Sequence, residues 1–238
     1  MEIRFELEKV SKFYHKKVPG KNKSRVAALK NTDLIVYENK INALVGKSGC
    51  GKSTTAKLLM RLEDYQKGAI LYKEKNLEAI PKKEFYKKNQ MMFQNPLLSV
   101  NPCFKVYKIL SEPLMVYKKN KKEIKERIAH LLEIFELPSA YLEKYPFELS
   151  GGELQRIVLA RTLALEPEFI ILDEPFSSLD EIMAARLIRY FKKIFTSMNV
   201  GVLYISHHLE RVKFLADYVA VMEKGRIIYH DTINNWQP

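Results

Sequence analysis

Nine residues, Gly46-Lys47-Ser48-Gly49-Cys50-Gly51-Lys52-Ser53-Thr54, set two glycines four residues apart and follow the second with Lys and Ser. That spacing is a phosphate loop, and the chemistry it serves is the holding of a nucleoside triphosphate. Glycine lets the backbone wrap around phosphates with its N–H groups turned inward, and a following helix aims its positive end at the same charge. Lys52 then reaches the β- and γ-phosphates, and Ser53 offers a hydroxyl to Mg²⁺. Cys50 lies inside the loop, so alkylating it is expected to block nucleotide binding by bulk.

A second acidic element is needed for hydrolysis. Phe169-Ile170-Ile171-Leu172-Asp173-Glu174 is an apolar strand ending in two carboxylates. Asp173, at the strand's carboxyl end, can hold Mg²⁺ through its waters, and Glu174 is placed to polarise the attacking water as general base.

The elements that must position these groups follow from hydrophobic periodicity. Ile41 to Val45 reads as a buried strand and Thr54 to Leu62 as a helix, so the glycines fall on a strand-to-helix turn. Glu2 to Val10 alternates as a half-buried strand, followed by Phe13-Tyr14, a polar loop containing Pro19-Gly20, and a second strand over Ala27 to Tyr37. A short strand over Ala69 to Tyr72, a helical turn from Pro81 to Lys88, and a strand at Met91-Met92-Phe93 lead to Gln94. Helices are expected over Val106 to Val116 and Lys121 to Phe135, broken at Pro138 and Pro146, with a new helix starting at Ser150. Beyond the acidic strand, a helix over Glu181 to Met198, a strand over Val202 to Ile205, a helix near His208 to Ala216, and strands Tyr218 to Met222 and Arg226 to Tyr229 restore βα alternation. The reading is one α/β domain interrupted by a helical insertion.

Composition bounds the function. A 238-residue chain with 47% apolar residues can build one compact core with a subdomain. No apolar run is long enough to span a bilayer, the start Met1-Glu2-Ile3-Arg4 is not a signal peptide, and two cysteines, Cys50 and Cys103, form no disulfide framework, so a cytosolic chain is expected. The net charge of +12 gathers at Lys16 to Arg25, Lys82 to Lys88 and Lys118 to Lys125 without the signatures of a nucleic-acid reader, and is read as solvated lysine-rich faces.

Leu149-Ser150-Gly151-Gly152-Glu153-Leu154-Gln155-Arg156 is the most specific motif. With it the chain resembles the ATP-binding cassette (ABC) family, whose signature Leu-Ser-Gly-Gly-Gln/Glu lies, as in this chain, between the phosphate loop and the acidic strand. A helix N-terminus is again at work: Ser150 and the amides of Gly151 and Gly152 can donate to a γ-phosphate. The resemblance implies an ABC-type P-loop NTPase fold with a mixed-sheet core, an N-terminal antiparallel β-subdomain and an inserted helical subdomain, divided as 1–94 and 163–238 for the core and about 95–162 for the insertion. Gln94 resembles the Q-loop glutamine that senses Mg²⁺ and the attacking water. Ser177-Ser178-Leu179-Asp180 resembles the D-loop at the dimer interface, and His207 the switch histidine that contacts the γ-phosphate. Tyr14 resembles the aromatic that stacks on adenine, with Phe13 as its rival. His208 departs from the Asp the family usually places after the switch histidine.

Gln94-Asn95-Pro96-Leu97-Leu98-Ser99-Val100-Asn101-Pro102, continued by Glu112-Pro113-Leu114, is similar to the Q-loop run of the peptide/nickel importer ATPases. Many of those relatives carry a further C-terminal segment; this chain stops at Pro238, which keeps nickel or metal-chelate importers beside peptide importers. The resemblance implies ATP and Mg²⁺ as ligands, and a peripheral location on the cytoplasmic face of the inner membrane. The implied partners are a second ATPase chain (related or identical), two transmembrane permease subunits and, indirectly, an extracytoplasmic binding protein. Each ATP would lie between Lys52, Ser53, Gln94, Asp173, Glu174 and His207 of one chain and Ser150 to Gly152 of the other. A non-transport cassette of DNA repair or translation and an exporter cassette are the alternatives.

Overall fold

Alternating apolar and polar residues draw the N-terminal chain into a long strand, β1 (Ile3–Lys16), with Phe5, Leu7 and Val10 buried. It runs past the expected end at Val10 because β2 (Ser24–Tyr37) continues to pair with it in antiparallel register, through Phe13↔Ala27 and Tyr14↔Val26. A computed structural model describes residues 2–16, 24–177 and 179–237, without the side chains of Lys16, Ser24 and Leu98. The loop at Pro19-Gly20, most of the basic run from Lys16 to Arg25, and Ser178 of the expected D-loop lie outside the described residues.

The chain divides into two compact units, Met1–Tyr86 with Gly201–Pro238, and Lys87–Val200. In the first, β4 (Lys67–Tyr72) and β5 (Lys75–Asn76) complete an antiparallel sheet in the order β2-β1-β4-β5. Two-residue β5 is too short for any periodicity to announce it. Beside this sheet, β3 (Ile41–Val45) lies parallel to both β8 (Gly201–Ser206) and β9 (Tyr218–Glu223), with β10 (Arg226–Thr232) antiparallel to β9. Every residue of β3 and β8 is buried, as continuous apolar runs in parallel strands require. The buried Asn42 satisfies its amide fully: Nδ2 donates to the carbonyls of Tyr37 (2.9 Å) and Val202 (3.2 Å), while Oδ1 accepts from the Tyr37 N–H.

Helices follow the strand ends. The first, α1 (Lys52–Leu59), begins two residues before the expected Thr54 because Gly51, at φ 119°, caps it and accepts from the Thr55 N–H at 2.9 Å. It stops short of Leu62 where Arg61 takes φ 54°. Farther along, α2 (Lys82–Lys88) precedes the second unit's first strand.

The second unit has a parallel strand pair, β6 (Asn89–Met92) and β7 (Phe169–Asp173), and the helices α3 (Val106–Val116), α4 (Lys121–Ile134), α5 (Gly151–Thr162) and α6 (Glu181–Met198). In α4 the stripe Ile124, Ile128 and Leu131 is buried, and Asn120 with Glu123 forms a capping box at its start. Strand β6 sits earlier than the expected Met91-Met92-Phe93, and Phe93 is exposed. Back in the first unit, α7 (Leu209–Leu215) follows β8. The α/β class, the antiparallel N-terminal sheet, the mixed sheet and the helical segment all agree with the sequence reading. Among the described residues no helix is long and apolar enough to cross a membrane.

Candidate active site

The phosphate loop hangs between β3 and α1. A Cβ on Gly46 would stand 2.2 Å from the Met222 carbonyl oxygen, and one on Gly51 would stand 2.6 Å from that of Ala28. Both glycines have positive φ, so shape and backbone conformation agree that only glycine fits. The Gly225 N–H, from the turn joining β9 and β10, donates to the Cys50 carbonyl at 2.9 Å and braces the loop from below. Lys52 is buried, with its ammonium donating to the carbonyls of Gly46 (2.7 Å) and Lys47 (3.2 Å), so the loop is closed over its own lysine. The Cys50 thiol is buried 2.7 Å from where a Gly46 Cβ would sit, packed beneath the loop.

Strand β1 sends Phe13 and Tyr14 to opposite faces, as adjacent strand residues must be. The Arg25 guanidinium lies 3.7 Å from the centre of the Phe13 ring and covers it. Tyr14 stays 37% exposed, and its hydroxyl donates to Glu63 and lies 3.5 Å from Thr54 Oγ1 on the phosphate-loop helix. Partial burial, then the Glu63 carboxylate, raise its pKa and keep the phenol protonated. The geometry favours Tyr14 over Phe13 as the open ring beside the loop.

His207 follows β8 and is exposed, its ring centre 4.2 Å from that of His208. The His208 N–H donates to Ser206 Oγ at 3.1 Å. Histidine at position 208 therefore sets a second imidazole against the first where the family usually has a carboxylate.

In the second unit, parallel register explains how two of the expected site residues meet. Met92 pairs with Leu172, so Gln94 and Glu174, each two residues further on, come level. Gln94 Nε2 donates to Glu174 Oε2 at 3.3 Å. Asp173 is buried at the end of β7, and Glu174 turns out of the strand with φ 48°, a left-handed conformation that costs a non-glycine residue about 1 kcal/mol. The Ser177 N–H closes the following turn on the Glu174 carbonyl at 3.2 Å. After Gln94, Asn95 accepts from the Leu97 N–H (3.0 Å) and Ser99 Oγ donates to the Asn95 carbonyl (3.0 Å), which folds the Gln-Asn-Pro run into a short 3₁₀ turn.

Ser150 caps α5. Its N–H (2.7 Å) and hydroxyl (2.8 Å) both reach Glu153 Oε2, completing a capping box, while the Tyr141 hydroxyl donates to the other carboxylate oxygen. The Tyr141 bond first, and then the Ser150 N–H, lower the Glu153 pKa to about 2. Gly151 and Gly152 leave little room for a side chain: a Cβ on either would stand 3.3 Å from Leu179 or Met183. Asp180 Oδ1 accepts from the Met183 N–H at 2.9 Å and caps α6. Glu63, Tyr141 and the contact made by Gln155 are not announced by the sequence. Gln155 is 1% exposed and its Nε2 donates to the Pro175 carbonyl, tying the signature helix to the loop after Glu174.

The Ser53 hydroxyl, the Gln94 amide carbonyl and the Asp173 carboxylate are each hard oxygen donors of the kind Mg²⁺ takes. Among the described residues no three His, Cys, Asp or Glu side chains gather into a metal cage.

The model of the family described as "ABC transporter" matches residues 29–177. The oligopeptide transport ATP-binding protein OppF of Bacillus subtilis (strain 168) is 38% identical over 209 residues, spanning 85% of this chain and 68% of that protein. OppF of Streptococcus mutans is 38% identical over 210 residues, 86% and 68% of the two chains. In fold, the ATP-binding cassette MJ0796, solved as a dimer in a post-hydrolysis state bound to ADP and Pi, superposes with a TM-score of 0.82 at 24% identity, covering 98% of this chain and all of that one. With the phosphate loop, the acidic strand and the capped signature helix in place, the chain belongs to the ABC transporter family.

Proposed function

We propose that this chain is the ATP-hydrolysing subunit of an importer of oligopeptides, acting on the cytoplasmic face of the membrane. The observation that carries the chemistry is the Gln94 amide on the Glu174 carboxylate at 3.3 Å, set by the parallel register of β6 and β7. In this reading Lys52 and the amides of Gly46 to Thr54 bind the triphosphate, and Tyr14 stacks on the adenine. Glu174 takes the proton of the attacking water, Gln94 orients that carboxylate, and His207 contacts the γ-phosphate. Ser53, Gln94 and Asp173 would hold Mg²⁺, which when bound supplies charge neutralisation across the β- and γ-oxygens.

Ser150, Gly151 and Gly152 complete the nucleotide site of a second ATPase chain, and Asp180 lies at that dimer contact. The helical segment of about 95–162, with the run from Gln94 to Pro102, is the part that meets two permease subunits. An extracytoplasmic binding protein delivers cargo to those subunits. The core of 1–94 and 163–238 belongs to the same reading. Oligopeptide cargo is favoured over nickel by the relatives named as oligopeptide transport proteins at 38% identity. The test is ATPase activity of the chain assembled with its permease and binding-protein partners. Stimulation by peptides and not by Ni²⁺ or its chelates is expected; stimulation by Ni²⁺ alone would reverse the cargo assignment.

A further inference from the structure

The base-stacking ring does not stand alone. Glu63, one turn beyond the end of α1, gathers three donors: the Tyr14 hydroxyl, Lys57 Nζ at 3.2 Å and Lys12 Nζ at 3.3 Å. Lys12 is buried beneath the same ring, 5.0 Å from its centre, and also donates to the Asp64 carbonyl at 2.6 Å. The Tyr14 hydroxyl therefore sits between Glu63 after the phosphate-loop helix and Thr54 in its first turn. Nothing in the phosphate-loop motif or the signature includes Lys12 or Glu63.

We propose that Glu63 is the positioning residue of the base site: by accepting the Tyr14 hydroxyl at the far end of α1, with Lys12 beneath the ring, it fixes the distance and tilt between base platform and phosphate cradle. The inference rests on the reading that Tyr14 stacks on adenine. A phenol with nothing to hold its hydroxyl would lose rotamer freedom each time a base bound, and a ring already held by a charge-assisted hydrogen bond has that cost removed in advance. Burial alone would raise the Glu63 pKa, but the bonds from Tyr14, Lys57 and Lys12 outweigh it and leave the pKa lowered, so the anchor is ionised at neutral pH. Lys12 on one side of the ring directs the base to the other.

The experiment compares dissociation constants for ATP and for inorganic tripolyphosphate, which has phosphates but no base, on the purified full chain. Glu63→Ala is expected to weaken ATP about tenfold and leave tripolyphosphate unchanged. Glu63→Gln, which keeps an acceptor for the phenol, recovers most of the loss. In a Tyr14→Phe background, which has no hydroxyl to hold, Glu63→Ala adds little. Equal weakening of both ligands by Glu63→Ala, or a full additional loss in the Tyr14→Phe background, would overturn the inference. ATP affinity unaffected by Glu63→Ala while Tyr14→Ala weakens it would also overturn the inference and leave the stacking role intact. If Tyr14→Ala leaves the ratio of the two constants unchanged, the stacking role itself falls, and the inference with it.

Discussion

Replacing Gly46 by alanine is expected to destabilise the protein by about 3 kcal/mol. The new methyl would stand 2.2 Å from the Met222 carbonyl oxygen and 2.7 Å from Cys50 Sγ. Carbon and oxygen settle near about 3.4 Å, so loop or strand must move by roughly 1 Å. The nearest atom is backbone in β9, so no change of rotamer absorbs the overlap. Gly49→Ala is the matched control, because Gly49 also has positive φ (77°) but nothing lies within 4 Å of its added methyl. Only the left-handed conformation then costs, about 1 kcal/mol. The difference of about 2 kcal/mol corresponds to roughly 4–8 °C in a chain of this size. Thermal unfolding of both variants beside the parent chain, with ATP affinity measured on each, tests this. Unfolding of Gly46→Ala at the same temperature as Gly49→Ala would refute the packing argument.

Glu38→Ala removes the 2.8 Å ion pair of the fully buried Arg4 together with the 2.7 Å pair to Lys73; urea unfolding should show a loss of about 3 kcal/mol, and an unchanged midpoint would contradict the weight given to these pairs. Glu153 has its pKa lowered from 4.5 to about 2, so its ionised form contributes stability above pH 4.5 that is lost as pH falls toward 2. Glu153→Gln should flatten the stability profile across that window, and a profile matching the parent chain would contradict the bonds to Tyr141 and Ser150. Cys50, buried under the phosphate loop, should react with alkylating reagents far more slowly than exposed Cys103, and once modified should abolish ATP binding. Mass-resolved labelling with and without ATP checks both, and full ATP affinity after complete modification would contradict the loop geometry. Ser150→Arg should leave ATP binding to the chain's own phosphate loop intact while disabling the site it completes on its partner; loss of binding in the isolated chain would count against that division.

The loop, the acidic strand end and the signature helix are legible in the sequence because each is a short, local pattern. Gly46 to Thr54, Asp173-Glu174 and Ser150 to Gly152 each combine a strand end or helix start with the residues that fill it, and the structure builds the loop, strand end and capped helix accordingly. What stayed hidden is long-range. Tyr14 and Glu63 lie 49 residues apart, Gln94 and Glu174 80 apart, and no periodicity encodes such meetings. Helix α1 starts at Lys52 and not at the expected Thr54 because the αL conformation of Gly51 that begins it is a property of the folded loop, which periodicity does not encode. Strand β1 outran its alternation for the same kind of reason, since pairing with β2 carries it to Tyr14 and beyond. What separates Phe13 from Tyr14 is equally long-range: Arg25 covers one ring, and Glu63 meets the hydroxyl of the other.

In the proposed mechanism Glu174, turned out of β7 and held by Gln94, activates the water that hydrolyses ATP. ATP turnover by Glu174→Gln, measured beside its ATP dissociation constant, tests this most directly. Hydrolysis should vanish while ATP binds as tightly as to the parent chain and accumulates in a closed pair of ATPase subunits. Turnover at the parent rate would remove Glu174 from the reaction.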